Sequence, residues 1–188
     1  MRRRDHSAYS EFVVLLRFRN RFRRIDPREV DQAVAALELP EAIFKTCPWQ
    51  PRELVETGLR QWLRCCGAAM RDDQVIGMPS HAVDEAWHGL ILCTQRYAAF
   101  CEAAYGRFLH HFPDGDGFTT TPAAQGDSHG SMADQLGRTV VAWSMVAAPD
   151  ETCVLWDLDT KVGVERPWGI GAGRVAAIEA ELARSADA

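Results

Sequence analysis

The 188-residue chain has no Cys-x-x-Cys pair and no glycine-rich loop followed by lysine at phosphate-binding spacing. Those absences remove the local signatures of dithiol or zinc-ribbon sites and of nucleotide P-loops. Six cysteines in the whole chain, Cys47, Cys65, Cys66, Cys93, Cys101 and Cys153, are too few for a disulfide scaffold. Reduced thiols in a cytoplasmic protein are the expectation. Long apolar runs are missing as well. The stretch Phe12 to Leu16 near the N-terminus is only five residues long, and Arg2 to Arg4 is interrupted by Asp5, so neither a signal peptide nor a membrane span is expected. Asp114-x-Asp116 lacks the remaining ligands of a calcium loop. Strand-like alternation and internal repeats of fixed period are absent too.

With 47% hydrophobic and 25% charged residues, the composition is that of an ordinary globular domain. A chain this long buries roughly 70% of the surface its unfolded form exposes, so a bound metal would be functional rather than a staple. Charge is unevenly spread. The formal net charge is −5, yet the first 24 residues carry eight arginines against Asp5 and Glu11, leaving the remainder strongly acidic. Tyr9, Phe12, Val13 and Leu16 follow helical spacing, so residues 1–24 read as a basic amphipathic arm. Such an arm either docks its apolar stripe and solvates Arg17, Arg19, Arg21, Arg23 and Arg24, or offers them to nucleic acid or an anionic membrane surface. A sequence pI near 5.7 argues against a general nucleic-acid binder.

Helical periodicity organises the rest. Asp26-Pro27 opens a helix with a cap and a proline at its first position, and Val30, Ala33, Val34 and Leu37 line one face. A second helix from Pro51 to Met70 carries the stripe Val55, Leu59, Trp62, Leu63, Cys66 and Met70, which leaves Cys65 off the stripe and exposed. Pro79 to Tyr105 reads as one long central helix capped by Ser80. Its apolar face is Val83, Trp87, Leu90, Thr94, Tyr97, Ala98 and Cys101, and its opposite face holds His81, Asp84, His88, Leu92 and Gln95. Residues 113–130 are a glycine-, proline- and threonine-rich loop or linker, and 131–188 return to the same domain. Met132, Leu136, Val140, Trp143 and Ala147 mark one helix there. A short one at Cys153 to Val162 buries Leu155, Trp156 and Leu158, and a last one runs through Val175, Ile178 and Leu182. Between these two, Gly169, Gly171 and Gly173 read as a flexible hinge rather than a phosphate loop, because no strand precedes them. The expected fold is a single all-α domain of six or seven helices, with residues 25–112 as its core.

Chemistry is concentrated in His81-Ala82-Val83-Asp84-Glu85-Ala86-Trp87-His88. Asp84 and His88 stand one turn apart and His81 one turn before Asp84, the spacing by which a helix gathers metal ligands. His110 or His111 can complete a three-ligand zinc or iron site with an open position if the chain folds back. The alternative is a hydrogen-bonded pair in a polar network or ligand-recognition surface around Asp84, Trp87, His88, Tyr97 and Cys101. Glu85-x-x-His88 is one of the two such pairs that a di-iron bundle needs, and the second is missing. Cys101 and Cys65 are the cysteines considered for thiol chemistry, with Cys101 placed on the apolar face.

The run Met78 to His88 with its Asp-x-x-Trp-His core, then Thr94, Tyr97, Phe100-Cys101, Gly106 to His111 and Pro113, resembles the glycine-rich domain-containing protein-like family of bacteria and plants. The resemblance spans Ile25 to about Val164. It carries Asp84, Trp87, His88, Tyr97, Cys101 and His110 or His111 over as shared positions, and it implies no established activity. Three functional readings follow: a binding or interaction module for an unknown protein or small molecule; a metal-binding protein or metal-dependent enzyme; and a surface-binding protein acting through its arginine arm.

Overall fold

In the computed structural model, residues 24–45, 47–111 and 130–186 are described. The arm with Arg17, Arg19, Arg21 and Arg23 and all but the last residue of the 113–130 loop lie outside them; Arg24 is exposed. Among the described residues there are seven α-helices, one 3-10 turn and no strand. The helices are α1 Pro27–Ala36, α2 Arg52–Arg71, α3 His81–Leu92, α4 Thr94–Tyr105, α5 Met132–Val146, α6 Leu158–Val162 and α7 Ala172–Ala186, with the 3-10 turn at Glu41–Phe44. None is long and apolar enough to cross a membrane.

The caps explain where the helices begin. Asp26 accepts a hydrogen bond from the Arg28 amide at 2.9 Å. Ser80 accepts from the Val83 amide at 3.2 Å, and Ser131 and Asp134 form a reciprocal capping box on α5. The 20-residue α2 takes the central place and packs against α1, α3, α4, α5 and α6. Its apolar surface is wider than one stripe: Cys65 is fully buried beside Cys66, not exposed, because neighbours cover α2 on several sides. Burial pushes the thiols of both well up, which makes them inert packing groups.

The expected long helix from Pro79 to Tyr105 is two helices. Cys93, at φ −81° and ψ 57°, leaves helical geometry, its amide bonded back to Leu90. No glycine or proline marks the place. The break lets α4 turn away and pack on α1, so Thr94 and Ala98 become exposed while Tyr97 and Cys101 stay buried. Further along, Trp156 is only partly buried, and Gly173 lies inside α7, which shortens the expected hinge to Gly169–Gly171.

Close backbone approach fixes α3 against the 3-10 turn. A Cβ added to Gly89 would stand 2.6 Å from the Ile43 carbonyl oxygen and 2.7 Å from its Cα, a clash with main chain rather than with a side chain that could swing aside. Overpacking costs about 1–3 kcal/mol against the roughly 1 kcal/mol that alanine returns in helix propensity. Gly89→Ala is therefore expected to lower the urea midpoint of unfolding despite improving the helix. A midpoint at or above wild type would contradict the contact.

Candidate metal centre

Asp84 and His88 lie on consecutive turns of α3, with His88 Nδ1 3.6 Å from Asp84 Oδ2. His111, in the coil after α4, places Nε2 3.1 Å from Asp84 Oδ1. One ligand atom from each of the three lies within 4.8 Å of the other two. The His88 and His111 rings are tilted against each other at 59°, centroids 4.4 Å apart. The set is graded in exposure: the side chains of Asp84 and His111 are 13% and 18% exposed, and that of His88 is 48%. A carboxylate and one imidazole are thus held, while the second imidazole has room to adjust from the solvent side.

The helix break makes this convergence possible. In one unbroken helix, Asp84 and Tyr105 would be about 31 Å apart at 1.5 Å per residue. The six residues to His111 span at most about 21 Å when fully extended, so the turn at Gly106 would be unaffordable. With α4 redirected at Cys93, the return is short. Gly106 ends α4 in the left-handed conformation at φ 65°, and the chain doubles back across α3.

Two buried side chains hold the returning segment. The Trp87 Nε1–H donates to the Tyr97 hydroxyl at 3.2 Å, and that hydroxyl donates to the Leu109 carbonyl at 2.7 Å. Trp87 also meets the His111 ring edge-on, centroids 4.8 Å apart. Tyr97 is fully buried, and burial drives its phenol pKa far above the usual range, so it acts as a neutral hydrogen-bonding strut. Cys101 is 1% exposed with its thiol pKa raised by burial, and it neighbours this strut rather than the ligand cluster. A thiolate nucleophile is not what this environment favours.

The remaining sequence candidates go elsewhere. His110 is exposed and stacks on Phe108, centroids 5.0 Å apart, so His111 alone completes the cluster. His81 joins a separate group: its Nε2 is 3.8 Å from Glu85 Oε1, and its ring lies between Trp49 and Trp168. Its Nδ1 is buried without a hydrogen-bond partner.

Asp159 escaped the sequence reading altogether. It is 1% exposed, and its carboxylate accepts four hydrogen bonds: from the Ser80 hydroxyl at 2.6 Å, the His81 and Ala82 amides at 2.9 and 3.1 Å, and the Trp168 amide at 2.8 Å. It thereby pins the N-terminus of the ligand-bearing helix to α6 and to the segment before α7. The negative charge sits where the orphan amides and dipole of α3 favour it.

The arrangement covers the Asp-x-x-Trp-His core and the returning histidine, and a known pattern coincides with it. Residues 39–125 match the model of the UCP032817-like family. The UCP032817-like stretch contains α2, α3, α4 and every residue of the ligand cluster and its Trp87–Tyr97 strut. No curated protein and no solved structure matches the chain. The glycine-rich domain name therefore stands as a resemblance carried by the motif alone.

Proposed function

We propose that the chain is a metal-binding protein that holds a divalent transition-metal ion, zinc or iron(II), through Asp84, His88 and His111. The observation that carries this reading is the convergence of two imidazoles and one carboxylate, from two separate segments, to within 4.8 Å. For bonds of about 2.1 Å, tetrahedral ligand atoms stand about 3.4 Å apart. His111 Nε2 stands 3.1 Å from Asp84 Oδ1 and His88 Nδ1 3.6 Å from Asp84 Oδ2, each near that value but on a different carboxylate oxygen, so the ligands would close in slightly around an ion. Three protein ligands leave positions open on the exposed His88 side, the feature that separates catalytic from structural sites. Two histidines with a carboxylate are the donor set of both hydrolytic zinc and non-haem iron centres, where the ion acts as a Lewis acid or activates a bound small molecule.

Elemental analysis of tag-free protein, purified without chelator and dialysed against zinc and iron(II) separately, tests the reading. About one equivalent is expected in the wild type, and a large loss in His88→Ala with the fold kept. A competing reading rests on the 3.1 Å contact itself: Asp84 and His111 hydrogen-bonded as a satisfied pair within a binding module. Metal-free wild type and variant, with the variant only less stable, would establish that one instead.

The strut makes a finer prediction. Tyr97→Phe removes one oxygen, freeing the Leu109 carbonyl while the aromatic ring continues to fill the core. Groups that orient ligands are worth about 10–100-fold in metal affinity. The zinc dissociation constant, from chelator competition, is expected to rise by about that factor while helical content stays unchanged. An unaltered constant would show that His111 is placed without Tyr97.

A further inference from the structure

We infer that Trp49, His81, Glu85 and Trp168 form a second site, which binds a small organic molecule bearing a methylated ammonium group. Trp168 is the starting observation. Its indole is 46% exposed, yet its backbone is anchored: the amide donates to buried Asp159 at 2.8 Å, and the ring meets His81 edge-on, centroids 5.0 Å apart. The next residue, Gly169, has φ 138°, and a Cβ there would lie 3.1 Å from the Trp156 carbonyl oxygen. A large aromatic group held in place at the surface is an anchor for something that covers it.

Charge says what covers it. Trp49 Nε1–H donates to Glu85 Oε2 at 2.7 Å and fixes the carboxylate on the same side of α3 as the indoles. The second oxygen, Oε1, faces His81 Nε2 at 3.8 Å, beyond hydrogen-bond reach. Trp49 and Trp168 flank the imidazole with centroid separations of 5.9 and 5.0 Å. An exposed indole beside a carboxylate attracts a cation and disfavours an anion. With Oε2 already accepting from Trp49, the carboxylate offers a hydrogen-bonding cation fewer free acceptor sites. A methylated ammonium needs no hydrogen bond, only exposed aromatic surface, supplied by Trp168, and a nearby negative charge, supplied by Glu85 through its contact with His81. The site is separate from the metal centre: it shares α3 but none of Asp84, His88 or His111.

The probe is choline, with 3,3-dimethylbutan-1-ol as its neutral isostere, each titrated into the full chain by saturation-transfer NMR on the methyl protons. Choline is expected to bind saturably in the millimolar range and about fivefold or more tighter than the isostere. Trp168→Ala should abolish that preference, Trp168→Phe should keep part of it, and Glu85→Gln, which retains an acceptor for Trp49, should reduce it. In His88→Ala, choline binding should persist, so a failed metal reading leaves this result intact. Equal binding of choline and the isostere, or choline binding unmoved by Trp168→Ala in folded protein, would overturn the assignment.

Discussion

His111→Ala is expected to weaken zinc binding by about two to three orders of magnitude, while the same change at the neighbouring His110 moves it less than about twofold. The magnitude follows from division. Structural zinc sites with four ligands release about 10–16 kcal/mol on binding, so one ligand accounts for about 2.5–4 kcal/mol. The contrast between adjacent histidines is the informative part. His111 has Nε2 3.1 Å from Asp84 and is largely buried, whereas His110 faces solvent on Phe108. Competition with a chromophoric chelator measures both constants in one format. Equal affinities in His111→Ala and wild type would remove His111 from the site, and a large effect at His110 would mean that the returning segment is placed one residue out of register.

Asp159→Ala carries the largest expected loss of stability, about 3–5 kcal/mol. The substitution removes the acceptor for four donors at once, and at least the Ser80 hydroxyl, itself fully buried, has no water to turn to. Against a typical total of 5–15 kcal/mol, about a third of the folding free energy is at stake. Asp159→Asn keeps one carbonyl oxygen but turns an amide donor toward backbone N–H groups, so it should fall between alanine and wild type. Urea unfolding followed by circular dichroism gives both values. A loss under about 1 kcal/mol for alanine would mean that the four bonds are replaced on relaxation.

These two residues mark the division between what could be read in the chain and what could not. Helices announce themselves through neighbours three and four apart, so α1, α2, α5 and α7, the Asp26 and Ser80 caps and the Asp84–His88 pair were all legible. Asp159 meets its partners across 77 to 79 residues and across nine to Trp168, distances at which no periodicity survives. Cys93 breaks its helix without glycine or proline, because packing of α4 on α1 outweighs the local tendency to continue. The choice between His110 and His111 was open for the same reason. The Tyr97 bond to Leu109 and the Trp87 and Asp84 contacts of His111 mark which of two consecutive imidazoles turns inward, and all three are long-range. Cys65 misled because a stripe analysis assumes one covered face, and α2 is covered on several.

The break at Cys93 also has a topological side. Asp84 and His111 are 27 residues apart, and their contact ties the start of one helix to the coil beyond the next. An ion gripping both would turn this stretch of chain into a covalent-like ring, interrupted only by coordinate bonds. Unlike a disulfide, such a fastening lets go when the chain unfolds, so it would favour the closed form through the free energy of binding the ion. On that view the broken helix serves as a clasp, and the ion that fastens it would hold the α3–α4 pair shut.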